Sequence, residues 1–208
     1  MKEKKLDENI KFFNIWAKFY DYTPIIGSWL RHIQIKSIKE IKIKDNLSIL
    51  DIGCGTGYSL LKISEKTNNS ILSGIDISEE MLKIAKTKTE SIKKNKIILK
   101  KASAEKIPFE SNFFDYIICT DALHHFINPQ ASFNEMSRIL KKGGKIIIAD
   151  VNIGPLWLSN ILFKLEPGFI HMYEKREMHE LFQKNKIKTI KQKRIGLFAL
   201  MNIGEKYD

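Results

Sequence analysis

Three glycines at the end of an apolar run are the first residues with a chemical implication. Gly53, Gly55 and Gly57 follow Leu47-Ser-Ile-Leu-Asp51 and precede an amphipathic stretch carrying Leu60, Leu61 and Ile63. Strand, glycine turn and helix form a unit whose backbone can approach a ligand closely and whose helix N–H groups point at it. The spacing narrows the ligand. A dinucleotide fingerprint places glycines first, third and sixth, but the sixth position from Gly53 is Tyr58, and no Gly-Lys-Ser/Thr follows to make a phosphate loop. Asp76 comes 23 positions after Gly53, at the end of the next apolar run, where a carboxylate can accept hydrogen bonds from ribose hydroxyls. A ribose-bearing ligand without a pyrophosphate fits this pattern.

A second group of residues could move protons. His124 and His125 follow the apolar run Phe114 to Cys119, with Asp121 just before them, and Tyr20 sits at helical spacing from Phe13 and Trp16. His171 and Tyr173 are later candidates. His124 and Tyr20 are the two we take as catalytic, against the alternatives of a packed histidine and a core tyrosine. Sequential histidines are expected to diverge, and Cys54 and Cys119 make no paired motif, so no metal site is expected.

The elements that must position these groups alternate along the chain. Residues 7 to 43 read as helical, broken by Thr23-Pro24, with Ile10, Phe13, Trp16 and Tyr20 on one face of the first helix and Trp29, Leu30 and Ile33 in the second. Strands are predicted at Leu47–Asp51, Ile71–Asp76, Lys96–Lys101, Phe114–Cys119 and Lys145–Asp150, and helices at Glu79–Glu90 and Pro129–Leu140. Unbroken runs such as Ile146-Ile-Ile148 are what parallel strands buried on both faces look like. The predicted fold class is therefore α/β, a doubly wound sheet. Beyond Asp150 come a Trp- and Leu-rich stretch from Gly154 to Phe169, a helix from about Glu174 to Lys184, and two strands near Ile187–Lys191 and Leu197–Ile203.

Composition bounds the reading. The 208 residues and 43% hydrophobic content describe one globular domain. The longest uncharged stretches have 13 residues, short of the roughly 20 that a membrane-spanning helix needs. The charged amino terminus leads into no apolar signal region, so a cytoplasmic location is the expectation. A net charge of +11 invites a nucleic-acid reading, but 31 of the 35 basic residues are Lys and 34 Ile stand against one Val, the mark of an AT-rich coding bias. Phosphate and base recognition favour Arg forks.

The ordered motifs carry more weight than any one of them. Asp51-Ile-Gly-Cys-Gly-Thr-Gly57, Gly74-Ile-Asp-Ile-Ser78, Ala102-Ser-Ala-Glu-Lys-Ile-Pro-Phe109, Phe114 through Phe126, and Glu135-Met-Ser-Arg-Ile-Leu-Lys-Lys-Gly-Gly144 together resemble the class I S-adenosylmethionine-dependent methyltransferases. The likeness is closest to the branch acting on small molecules and on quinone or lipid headgroups. It is dense over residues 45 to 150 and departs at Lys142, where the family often has proline.

The resemblance implies a seven-stranded, mostly parallel Rossmann-like sheet with a reversed last strand and amino-terminal helices. It divides residues 1–208 into a helical lid (1–44), a cofactor-binding core (45–150) and a substrate-covering segment with closing strands (151–208). It further implies S-adenosyl-L-methionine as cofactor. Gly53, Gly55 and Gly57 would let the methionine half lie on the backbone, and Asp51 would position its amino group. Asp76 would hold the ribose diol, Ser103, Ala104 and Glu105 would sit against the adenine, and Thr120 would meet the methionine end. Tyr20 would act as a lid.

The implied activity is methyl transfer to a small, partly apolar acceptor whose reacting atom is not legible. An RNA methyltransferase and a non-catalytic cofactor-binding subunit are the alternatives. The first lacks an Asn/Asp-Pro-Pro-aromatic signature after strand four, where this chain has Thr120-Asp-Ala-Leu123, and neither cysteine is placed as a nucleophile. Its two Lys-dense regions, 83–106 and 184–194, would also fall on opposite edges of the implied sheet. The apolar segment Pro155–Leu165 suits an apolar acceptor or an ordinary core helix. A transient membrane-surface contact is the weaker reading, because such helices carry several cations.

Overall fold

The computed structural model describes residues 2–208. Helices α1 (Lys2–Tyr20) and α2 (Pro24–Ile38) lead into β1 (Ser48–Ile52), α3 (Tyr58–Ser64), β2 (Ile71–Asp76), α4 (Glu79–Thr89), β3 (Lys96–Lys101) and β4 (Phe114–Thr120). A 3-10 turn at Leu123–His125 precedes α5 (Pro129–Ile139), β5 (Leu140–Val151), α6 (Leu156–Leu162), α7 (Lys175–Lys184), β6 (Ile187–Ile195) and β7 (Ala199–Lys206). One sheet runs β3-β2-β1-β4-β5-β7-β6, with β7 antiparallel to both neighbours and β1 to β5 parallel. This is the seven-stranded order with a reversed last strand that the motifs imply, and β3 and β6 form its edges.

Both faces of the sheet are covered, and alternate side chains supply each layer. Leu50, Ile52, Ile117, Cys119, Ile146 and Ile148 pack with Phe133 and Met136 of α5 and Phe182 of α7. Ile49, Ile118 and Ile147 face the other way, onto Ile33 of α2 and Leu60 and Ile63 of α3. The isoleucine runs are thus split residue by residue between two cores, which is why they show no polar alternation.

Helix ends are fixed where the sequence provides caps. Ser78 Oγ accepts the Met81 N–H at 3.2 Å to start α4, and Asn128 Oδ1 accepts that of Ala131 at 3.1 Å ahead of Pro129. The predicted amino-terminal helical region is shorter than expected at its end, since α2 stops at Ile38 and not at 43. β5 is longer, because Leu140 already pairs with Phe114 while Lys145 pairs with Tyr116, so residues 141–144 bulge from the register with Gly143 at φ 74°. β6 continues to Ile195 and β7 to Lys206, each strand satisfying the other's backbone through a turn at Gly196. Among the described residues no helix separates β3 from β4, as the sequence suggested. Instead Arg138 binds the carbonyls of Ile107 and Phe109 at 2.9 Å each, and Glu135 accepts the Ile107 N–H at 2.8 Å.

One buried lysine closes the far end of the sheet. Lys206, 8% exposed, donates to Ser137 O, Leu140 O and Asn112 Oδ1 at 2.8, 2.9 and 3.0 Å, taking up carbonyls left free at the end of α5. Lys206→Met would strand these acceptors and is expected to cost about 2 to 3 kcal/mol, read as a lower urea midpoint. An unchanged midpoint would show that water replaces the ammonium at no cost.

Candidate active site

The carboxyl ends of β1, β2 and β4 open into a cavity of about 800 Å³, counting its mouth. This is the crevice at which α/β sheets bind ligands, because strand order reverses between β1 and β4. Gly53 and Gly55 lie on its floor, Asp76 and Ile77 on one wall, Ser103, Ala104 and Glu105 on the next, and Thr120 and Asp121 at the inner end. Tyr20, Phe13 and Leu6 of α1 close it from above.

The glycines divide their work. At Gly53, φ is 68° and a Cβ would stand 2.7 Å from that of Ala122, so only glycine permits β1 and the turn after β4 to approach this closely. At Gly55, φ is 49° and the Tyr20 ring occupies the space above, 3.8 to 3.9 Å from where a Cβ would stand. Gly57 does not line the cavity. It precedes α3 at φ 78°, with a Cβ position 3.0 Å from that of Ala85, and so lets α3 and α4 pack closely.

Two carboxylates are held behind this turn. Asp76 accepts the Gly55 N–H at 2.9 Å and the Ser78 N–H at 2.8 Å, tying strand end, glycine turn and α4 together. Burial pushes its carboxyl up from the usual range, and these N–H groups partly oppose that. Asp51 is 1% exposed, and both its oxygens lack a hydrogen-bond partner among the described residues. Burial, then the charge of Asp76, lift its carboxyl well above normal, and the nearby Ser59 hydroxyl partly opposes them. An orphaned buried carboxylate is costly unless a cation meets it, and it stands directly below the glycine turn. Asp51 does not itself line the cavity.

The lid is anchored by residues far apart in sequence. Asp21 accepts from Thr56 Oγ1 at 3.0 Å and from Lys88 Nζ at 2.6 Å, while Lys88 also reaches Thr56 at 2.8 Å. Ser78 Oγ donates to Asn14 at 2.7 Å, and the Phe13 ring meets that of His125 edge-on at 4.9 Å. These contacts hold Tyr20 over Gly55. Burial first, then the charges of Asp121, Asp76, Asp51 and Asp21, keep its phenol neutral to very high pH. Tyr20 is accordingly an unsuitable base.

The histidine pair departs from expectation. The two rings do not diverge. The 3-10 turn, closed by His125 N–H to Ala122 O at 3.1 Å, brings their centroids to 3.9 Å. His124 is 3% exposed and is not among the cavity-lining residues, whereas His125 is. Asp150 grips His124 twice, accepting its backbone N–H at 2.8 Å and standing 2.6 Å from Nδ1. Burial alone would lower this imidazole, but the Asp150 charge and hydrogen bond, with Asp121 and Glu166, raise it to about 9. A histidine already protonated at neutral pH cannot accept a proton, and the His124 ring stands outside the cavity lining. His125 is the opposite case, held neutral by burial and by the His124 charge.

Asp121 is the group these neighbours act on. It lines the cavity at a left-handed backbone position, φ 52°, which aspartate and asparagine tolerate better than most residues. Donor atoms of Asp121, His124 and Asp150 lie within 4.8 Å of one another, as do those of His124, His125 and Glu166. The His124 to Asp150 pairing occupies the central nitrogen and accounts for the first cluster without an ion. Burial lifts the Asp121 carboxyl to about 7, with Asp150 and Glu166 adding and His124 opposing. A carboxylate that changes state near neutral pH beside a ligand cavity has the chemistry of a general base.

The apolar walls Phe126 and Ile127, with Asn9 of α1, were not singled out from sequence. The signal for the α1 contribution was present, since Leu6, Asn9, Phe13 and Tyr20 recur at three-, four- and seven-residue steps. His171 pairs with Glu177 at 2.9 Å outside the cavity, and Tyr173 does not line it.

Known proteins agree with this geometry. The family described as a methyltransferase domain matches residues 43–197. The demethylmenaquinone methyltransferase of Oceanobacillus iheyensis is 31% identical over 144 residues, 68% of this chain and 60% of that protein. A ubiquinone/menaquinone biosynthesis C-methyltransferase of Geotalea daltonii is 34% identical over 157 residues, covering 72% of this chain and 64% of that protein. The chain thus matches less than two thirds of the length of either relative. The crystal structure of YcgJ from Bacillus subtilis superposes with a TM-score of 0.75 at 21% identity, covering 86% of this chain and 99% of that one. The chain belongs to the class I S-adenosylmethionine-dependent methyltransferase-domain family, and S-adenosylmethionine is the cofactor that family uses.

Proposed function

We propose that this chain transfers the methyl group of S-adenosylmethionine to a small, largely apolar acceptor bearing an ionisable hydroxyl, of the quinol type. The observation that carries the reading is the place of Asp121, a carboxyl on the wall of a cavity whose other walls include Leu6, Phe13, Phe126 and Ile127; burial pushes that carboxyl up from its usual range. The similarity to proteins named as methylating menaquinone and ubiquinone precursors supports the same acceptor class.

The residues fit the cofactor on observations of this fold. Asp76, at the end of β2, retains free lone pairs for a ribose diol, and the buried Asp51 would place its negative charge behind the glycine turn toward an α-ammonium group. Ser103, Ala104 and Glu105 would flank the adenine, and Thr120 the methionine end. When bound, the cofactor supplies an electrophilic methyl on a sulfonium. Tyr20 and the Asp21, Thr56 and Lys88 anchor then keep the lid over Gly55 and exclude water. Asp121 takes the proton of the acceptor hydroxyl, which raises electron density at the oxygen and its conjugated ring carbons, while Phe13 and Phe126 hold the acceptor ring. Alignment of nucleophile and methyl at about 3 to 3.5 Å provides most of the acceleration. His124, fixed by Asp150, keeps a positive charge beside Asp121 and so prevents its carboxyl from rising further.

The test is incubation with labelled S-adenosylmethionine and, in separate reactions, a reduced demethylated naphthoquinone, an amine headgroup and RNA. Label in the quinol product alone is expected. Label only in the amine or the RNA would overturn the acceptor reading.

A further inference from the structure

Two helices at the open end of the sheet carry apolar side chains that stand outside the cores formed by the described residues. On α1, Ile15 and Phe19 are 65% and 56% exposed, and Tyr22 just beyond it is 83% exposed. At 100° per residue Ile15 and Phe19 fall in one sector with the exposed Lys11 and Lys18. On α6, Trp157 and Ile161 are 69% and 55% exposed, and the exposed Lys164 follows in the 3-10 turn Phe163–Leu165. One turn before Lys11 on α1 the exposed Glu8 shares the face of Ile15 and Phe19, so Lys11 and Lys18 leave it basic by one charge, while Asp21 is bound to Lys88.

Both helices sit at the carboxyl ends of the strands. α1 reaches Ser78 after β2 and His125 after β4, and α6 follows β5. The cavity opens at this same end, under α1. Apolar side chains interleaved with lysines on a helix lying flat are what an interfacial helix presents to a bilayer, with aromatic rings among the acyl chains and ammonium groups among the headgroups. The chain's net charge of +11 complements anionic lipid.

We propose that the outer faces of α1 and α6 dock this protein onto the surface of an anionic lipid bilayer, with the cavity mouth turned to the membrane. A single short apolar helix binds weakly. Two patches engaged together raise the local concentration of each for the surface, so their effects are interdependent. Such docking would let a lipid-soluble acceptor pass under α1 without crossing water. The inference borrows the apolar-acceptor reading for its purpose only, and its test uses neither cofactor nor acceptor to read lipid binding.

The test is co-sedimentation of the full chain with phosphatidylcholine vesicles and with vesicles containing phosphatidylglycerol. Binding to the anionic vesicles is expected, weakening as salt rises, with a blue shift of tryptophan emission that Trp157→Phe removes. Ile15→Glu/Phe19→Glu and, separately, Trp157→Glu are each expected to reduce the bound fraction at least about tenfold, while cofactor affinity by calorimetry stays that of the parent. Parent protein that stays in the supernatant with every vesicle would overturn the proposal. So would sedimentation equilibrium showing a dimer that Ile15→Glu/Phe19→Glu dissociates, since a second copy would then cover these faces.

Discussion

Asp121→Asn is expected to lower kcat by about 10²- to 10⁴-fold while S-adenosylmethionine still binds. The amide keeps the size of the side chain and its place at φ 52° but cannot take a proton. Asparagine is also among the residues that tolerate this backbone conformation, so the fold is expected to survive. The pH dependence gives a second readout. Asp121 must be ionised to act, and its carboxyl titrates at about 7, so kcat/KM of the parent enzyme is expected to fall below pH 7 and level off above it. Besides burial, the charges that set this value face Asp121 from three elements: His124 on the 3-10 turn, Asp150 on β5, and Glu166 before the loop at Gly168. In Asp121→Asn that inflection is expected to vanish. Full turnover with the same pH profile would remove Asp121 from the chemistry.

Asp76→Ala is expected to weaken S-adenosylmethionine binding by about 1.5 to 3 kcal/mol, or roughly 10- to 150-fold. Two losses combine. The carboxylate would no longer meet the ribose hydroxyls, and the N–H groups of Gly55 and Ser78 would lose their acceptor, loosening the turn on which the cofactor lies. The two can be separated by the thermal midpoint of the cofactor-free chain, which reports only the second. Unchanged cofactor affinity would contradict the ribose role, whatever happened to the midpoint.

What was legible in the sequence is what local physics determines. The isoleucine pairs and triplets of β4 and β5, bounded by turn residues, read as strands buried on two faces, and the strand order followed from the family resemblance of the motifs. Gly53 and Asp76 were readable because a turn needing positive φ and an acid at a strand end leave a spacing behind. Ser78 and Asn128 fixed helix starts through caps that are local too. The two histidines were not legible in the same way. Their relative orientation depends on a 3-10 turn and on Asp150, 26 residues away, so alternation along the chain says nothing about which one reaches the cavity. The role of Gly57 in packing needed the position of Ala85, on a different helix. Tyr20 could be placed on a helix face from spacing alone, but its location over Gly55 depends on Asn14 meeting Ser78 64 residues later. Lys206 gave no signal at all, because a buried lysine is recognisable only by the carbonyls it serves.

The helix that is absent between β3 and β4 shows the same division. The charged, Pro-containing stretch from Ala102 to Phe113 lacks helical periodicity, and that much was readable. That Arg138 and Glu135 of α5 hold it in place was not, since this needs the β4 to α5 packing that brings them under Ile107.

The central claim is that the cavity at the ends of β1, β2 and β4 is an S-adenosylmethionine site. Calorimetric titration of the purified chain with S-adenosylmethionine, S-adenosylhomocysteine and NAD tests it most directly. The orphaned Asp51, the glycine floor and Asp76 predict micromolar binding of the first two and none of NAD. Binding of neither nucleoside, or equal binding of NAD, would contradict the account at its foundation.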